Sequence, residues 1–339
     1  MKKIISLTLA LMLLLGILAV PALAEDYKVG TLSYLNMTEE EENLLGSVLR
    51  ANPVKILVLN GVFKSEGDWH FSDTPSTHHY DTLSALLMGL QAGEVEAIRV
   101  PYYTAKYLCS TNDTLKLTME YHPENATELS NEALARLSDG YSFMLKEEDV
   151  SLRDEIDAQI SAMKEDGTLQ KLIDEYIIKA SESGETIAVD FEQFEGEPIR
   201  VGVTGDLPPM DYVSADGSFA GFNTAVLAEI GKRLQKNIEL VQVENVGRSL
   251  ALSEGVVDVV FWTRALSETL SEHRAAGEKA DDSTARNQDS MTDEEKAIRD
   301  KMESPDQETI EKLQARDMSP GTIITQPYFS DLPVWVALK

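Results

Sequence analysis

The stretch Asp68–Asp81, "DWHFSDTPSTHHYD", gathers three imidazoles (His70, His78, His79) and three carboxylates (Asp68, Asp73, Asp81). Imidazole and carboxylate are zinc donors, but no pair here has the spacing of a tight metal motif, and adjacent histidines on a strand project to opposite faces. A solvated loop is the expectation, and no metal is assigned. Covalent chemistry is no better served. Ser, His and Asp occur without a nucleophile-elbow context, and there is neither a Walker loop nor a Gly-x-Gly-x-x-Gly run. The single cysteine, Cys109, sits in "AKYLCSTND", a helix-like run in which it reads as a small buried hydrophobe rather than a nucleophile. No catalytic residue and no cofactor are expected. What remains is non-covalent binding.

The chain has 339 residues, enough for two domains, and 43% hydrophobic residues, enough for a sizeable core. Its start, "MKKIISLTLALMLLLGILAVPALAEDYK", has Lys2 and Lys3, an apolar run and Ala22-Leu23-Ala24. That pattern reads as a signal peptide of residues 1–24, cleaved after Ala24, with an anchor helix as the alternative. The expected mature protein is exported, at the periplasm or the extracellular face, with no membrane insertion. The formal charge is −28. Removing the two lysines of a leader that has no acids makes it −30, which argues against nucleic acid and anionic membrane surfaces as partners. One thiol permits no intrachain disulfide.

Strand-like and helix-like runs alternate along the chain. A strand over 28–37 leads to a helix opening at Thr38, with Glu41 at the capping-box position. The apolar run "VKILVLNGVF" and a polar, aromatic loop fill 53–76. A helix (81–91) stopping at Gly93, a strand (95–100) and a helix from about 102 come next. "YSFMLKEED" is a strand, and two amphipathic helices break at Asp166-Gly167. After a polar linker that carries a short strand, "IRVGVTGDLPPMDYVSADGSFAGFNTAVLAEIGKRLQKNIELVQV" gives strand, loop, turn at Asp216-Gly217, helix and strand. "LSALLMGLQAGEVEAIRV" and "GRSLALSEGVVDVVFW" share one form: helix, Gly turn, acidic residue, apolar strand. Residues 271–319 read as an acidic insertion with a helix near 292–316. The final run, "GTIITQPYFSDLPVWVALK", is strand-like to its end. The pattern is α/β with mostly parallel sheets and two similar lobes, with ligand expected in the crevice at the strand ends.

Residues 198–262, through "IRVGVTGDLPPMDYVSADGSFAGFNTAVLAEIGKRL" and "LALSEGVVDVVFW", resemble the first lobe of the family 3 extracellular solute-binding proteins. "TQPYFSD" is similar to that family's crossing between lobes, and "YSFMLKEEDVSLRDEIDAQISAMKEDGTLQKLIDEYI" to its return segment. Residues 28–120 are similar to its second lobe, through "KVGTLSYLNMTEEE" and "GLQAGEVEAIRVPYYTAKYL". The resemblance implies a two-lobed periplasmic-binding-protein-like fold of type II, with mixed and parallel sheets, in circularly permuted order. A lobe-two-like domain spans 25–140, return helices 141–180, a linker 181–196, and a lobe-one-like domain 197–339 ends in a hinge-crossing strand. A truncated tandem protein is the alternative.

The same resemblance assigns the ligand-binding residues. Thr204, Asp206, Leu207 and Met210 lie in the first lobe-one loop, and Trp262, Thr263 and Arg264 at the end of a later strand. Asn36, Met37 and Thr38 mark a helix start in lobe two, and Pro101 and Tyr102 the end of another strand there. Two departures stand out. The family's carboxylate-clamping Arg falls at Leu270, with Arg264 or Arg274 as substitutes, and the family's ammonium-binding acid falls at Pro101. A standard α-amino acid is therefore a poor fit, and anionic, aromatic or peptide-like ligands stay open. The implied function is capture of a small molecule between the lobes for an ABC permease. The alternative is a degenerate fold acting as a non-transport interaction or sensory module. An enzymatic role lacks an acid/base pair.

Overall fold

The computed structural model describes residues 28–32, 51–65, 76–214, 216–244, 247–264, 291–303 and 319–339. The expectations for the leader, for Asn36, Met37 and Thr38, for Asp68, His70 and Asp73, and for Leu270 and Arg274 fall outside them.

The amino lobe comprises β1 (Lys28–Leu32), α1 (Ala51–Leu59), β2 (Phe63–Ser65), β3 (Ser76–Tyr80), α2 (Leu83–Ala92), β4 (Ala97–Pro101), α3 (Tyr102–Thr111), β5 (Leu115–Leu117), β6 (Met119–Tyr121) and α4 (Glu128–Leu137). β1 lies between β3 and β4, parallel to both, with Val29 opposite Thr77 and Ala97. His78 and His79 are adjacent on β3. The apolar run after Pro53 is helical: Ile56 and Leu57 are fully buried, while Val58 and Leu59 are exposed. A one-sided helix buries a stripe and leaves the rest to water. α1 packs on α4 and on β2, which pairs with β6.

The carboxyl lobe begins with β7 (Asp139–Lys146), followed by α5 (Val150–Glu165), α6 (Thr168–Ile173) and the short α7 (Ala180–Ser183). The helix break falls at Asp166-Gly167 as expected. β8 (Ile199–Val203), β9 (Asp206–Leu207), β10 (Asp211–Val213), β11 (Phe219–Ala220), α8 (Phe222–Leu234), β12 (Ile238–Gln242), α9 (Arg248–Ser253) and β13 (Val259–Arg264) complete its first pass. β8 is parallel to β12 and β13, while β7 runs antiparallel to β13. The linker contributes only an isolated bridge, Ala188 to Ala220. α5 and α6 pack against α8.

After Arg264 the next described element is α10 (Asp293–Glu303). A capping box starts it. Thr292 Oγ1 accepts from Glu295 N at 3.1 Å, and Glu295 Oε2 accepts from Thr292 N at 2.8 Å. α10 packs on α1 of the other lobe, with Ile298 at 9% exposure.

The last run is three strands. β14 (Thr322–Ile324) and β15 (Phe329–Asp331) pair with β7 in the carboxyl lobe. β16 (Pro333–Leu338) enters the amino-lobe sheet, antiparallel to β4 on one side and β5 on the other. Val336, fully buried, lies opposite both Ile98 and Leu117. The amino-lobe order is thus β3-β1-β4-β16-β5, and the carboxyl-lobe order β12-β8-β13-β7-β14. Among the described residues no helix is long and apolar enough to cross a membrane.

Candidate functional site

The parallel strands of the carboxyl lobe end at Val203, Gln242 and Arg264, and a crevice at such ends is the usual ligand position in α/β sheets. β8 leads into the loop Thr204–Met210. Gly205 holds φ 74°, and a Cβ there would meet Val213 Cγ2 at 2.8 Å, so glycine suits this turn. The Thr204 amide and hydroxyl both donate to Asp211 Oδ2, at 3.0 and 3.1 Å. Asp211 is 3% exposed, and its Oδ1 has no hydrogen-bond partner. Burial raises its pKa to about 6, against the lowering effect of the Thr204 and Gly205 amides, with the nearby Asp206 charge adding to the rise.

Asp206 reaches the other lobe. Its Oδ2 accepts from the Leu83 amide at 3.2 Å, at the first residue of α2. Thr82 caps the same helix, its Oγ1 accepting from the Ala85 amide at 3.1 Å. Leu207 (7% exposed) and Met210 (fully buried) belong to the core. The Phe222 and Asn223 amides that open α8 donate to Pro209 O and Met210 O, at 2.9 and 2.8 Å, so the loop also serves as that helix's start.

In the amino lobe β4 ends at Pro101, directly before α3. The α3 amides are met from the other lobe. Tyr102 N donates to Leu332 O at 2.8 Å and Tyr103 N to Asp331 Oδ2 at 3.1 Å. Asp331 Oδ1 also accepts from Leu332 N at 2.8 Å, and the residue is 5% exposed. A carboxylate from the far end of the chain thus sits at the helix start that follows Pro101. Tyr102 lies in an aromatic cluster, with ring centroids 5.2 Å from Tyr103 and 5.5 Å from Tyr121. Phe329 continues it into the carboxyl lobe, 6.1 Å from Tyr103 and 5.6 Å from Tyr141. Burial, then the Asp331 charge, pushes the Tyr103 phenol up to about 12. Lys106 to Glu182, at 3.3 Å, and Tyr107 to Tyr212, at 6.0 Å, also join the lobes.

Trp262, Thr263 and Arg264 lie on β13 opposite Ser142, Tyr141 and Gly140, at the end of the sheet nearest the lobe crossing. The structure therefore sets Asp206 against the start of α2, with Thr204 bound to Asp211 behind it, and puts Pro101 and Tyr102 at a second interlobe contact, with Leu332 and Asp331. Sequence reading missed three groups: Asp211, Asp331, and Arg248, which is 5% exposed and donates to Phe261 O at 2.8 Å. An acid inside the apolar neighbourhood "PPMDYV" is the one local signal that points to the first. Asp258 is spent on a bidentate pair with Arg200, at 2.6 and 3.1 Å. Among the described residues no group of His, Cys, Asp and Glu converges to hold a metal. Cys109 is partly exposed, and burial raises its thiol pKa. A cavity of about 860 Å³ opens beside Lys146, Ser249, Leu250 and Thr322, at the end of β7 remote from the amino lobe.

Residues 199–273 match the model of the bacterial extracellular solute-binding proteins, family 3. No curated protein matches the sequence. Among solved structures, the chain is similar to the ligand-binding component of an ABC-type import system from Staphylococcus aureus with zinc bound. The identity there is 10% over 92% of this chain and 65% of that one, with TM-score 0.35. It is also similar to the GluR0 ligand-binding core with L-glutamate (8%, 94% and 86%, TM-score 0.35). A third is an ABC transporter periplasmic binding protein from Brucella ovis with glutathione bound (8%, 93% and 63%, TM-score 0.36). The chain spans less than two thirds of the length of the Staphylococcus and Brucella proteins. The match over 199–273 runs from β8 through β13, and over that stretch the chain is similar to the bacterial extracellular solute-binding proteins, family 3.

Proposed function

We infer that this protein is an extracytoplasmic solute-binding protein, not an enzyme. It captures a small polar or anionic molecule, amino-acid-like or otherwise, between its lobes and presents it to an ABC permease. The observation that carries the reading is the match over 199–273, because the loop inside that segment is the one that meets the amino lobe at Asp206. Two lobes that touch through short polar contacts suit hinge closure around a solute. The permuted lobe order belongs to the same reading and is supported by β16, which crosses from the carboxyl-lobe sheet to lie between β4 and β5. The leader 1–24 accounts for export.

A thermal-shift screen of residues 25–339 against amino acids, short peptides, organic acids and aromatic amines tests the reading, since a ligand of the folded state alone raises the midpoint. A hit weakened by Arg264→Ala makes Arg264 the replacement anion clamp, and unchanged affinity removes it from the site. One observation favours a second reading, a degenerate cleft used for protein contacts. Thr204 and Asp206 are already engaged within the protein, and Leu207 and Met210 face the core. A flat screen on a cooperatively folding protein selects that reading.

A further inference from the structure

The Asp206 contact reaches beyond the choice between those readings. The first amides of a helix lack intrahelical partners and carry the positive end of its dipole, so the start of α2 is a seat for an anion. Thr82 satisfies one of these groups from within the amino lobe. The Leu83 amide is met instead by a carboxylate 123 positions away, on the loop that follows β8 in the other lobe. The loop is itself fixed behind Asp206. The Thr204 amide and hydroxyl bind the buried Asp211, and Val213 N donates to Gly205 O at 2.9 Å. The carboxylate is therefore presented by a supported turn.

We propose that Asp206 is a resident anion that latches the two lobes together by occupying the start of α2. Asp331, at the end of β15, meets the start of α3 and is its buried counterpart at the lobe crossing, where β15 runs into β16. Asp206 is only partly buried, so its contact is the one that solvent, or an incoming solute, can reach. An anionic solute binding at this helix start must displace it, whereas a cationic or neutral solute leaves it in place. The latch therefore sets the charge the cleft accepts there.

The test uses the ligand-free protein and needs no knowledge of the solute. Hydrogen exchange is read at single-residue resolution in wild type, Asp206→Ala and the isosteric Asp206→Asn, beside small-angle scattering of each. The Ala85 amide, capped by Thr82, serves as the internal reference. The expected result is exchange at Leu83 faster by about tenfold in Asp206→Ala, the scale of one charge-assisted bond. Asp206→Asn should be intermediate, Ala85 should be unchanged, and the radius of gyration should grow. Unchanged exchange at Leu83 overturns the proposal. Faster exchange at Leu83 with an unchanged radius also overturns it, since the bond is then a local contact that holds nothing closed. Unaltered exchange in β8 and β1 shows that both lobes remain folded. The latch and the solute-binding reading fail separately, because the thermal-shift screen plays no part here.

Discussion

The two lobes solve the same problem in opposite ways. Each must satisfy the open amides at its helix starts and close its sheet. The carboxyl lobe does both largely from its own residues. Pro209 O and Met210 O receive the first amides of α8, and Arg200 binds Asp258. Gly221, at φ 109°, lets this start press close, since a Cβ there would lie 2.6 Å from Met210 O. The amino lobe borrows. Asp206 and Asp331 of the other lobe meet the starts of α2 and α3, and β16 from the end of the chain fills its sheet between β4 and β5. The difference teaches that the amino lobe depends on the carboxyl lobe far more than the reverse, which couples lobe position to amino-lobe integrity.

The largest expected effect attacks the borrowed strand. Val336→Asp places a charge at a fully buried position between two strands and should cost about 4 kcal/mol or more. Chemical denaturation measures the loss. Hydrogen exchange should rise in β4 and β5 while β8 and β13 keep their protection; equal loss in both lobes would break the comparison.

Next comes the self-supplied group of the carboxyl lobe. The pKa of Asp211 is raised to about 6 in the folded protein from an ordinary 3.8. The folded state therefore binds the proton more tightly than the unfolded chain. The resulting stabilisation is full below about pH 4 and disappears as the pH rises through 6, a swing of about 3 kcal/mol. Asp211→Asn removes this swing, so the stability difference between variant and wild type should change by that amount between pH 4 and pH 7. A constant difference would mean that burial does not penalise this carboxylate.

Asp331→Ala removes a buried acceptor from Tyr103 N and Leu332 N and should cost about 2 kcal/mol, with exchange rising at the start of α3. The smallest effect sits at the rim. Ile298→Val should cost about 1 kcal/mol and raise exchange in α1, because Ile298 is buried on the helix that packs against α1. A loss confined to α10 would remove that helix from the account of the amino lobe.

Much of the fold was legible in local chemistry. The Asp166-Gly167 break, the strand–loop–helix from Ile199 to Leu234 and the helix from Tyr102 all follow from periodicity, caps and glycine. The run after Pro53 was not, since a short apolar stretch suits a helix or a strand equally. Of the candidate site, Asp206 meets the other lobe and Thr204 binds Asp211 behind it, whereas Leu207 and Met210 turn inward to the core. A loop's side-chain directions depend on the turn that carries them, and spacing alone does not record that.

The sequence by itself determined the element types and the family likeness of 199–273, because caps, turns and hydrophobic periods act within a few residues. Tertiary structure alone decided that Asp206 would serve Leu83, that Asp331 would serve Tyr103, and that Val336 would sit between Ile98 and Leu117. Each of these joins residues more than a hundred positions apart. Such pairings follow from how the two sheets pack and where the chain crosses between them, and no local pattern of residues encodes that.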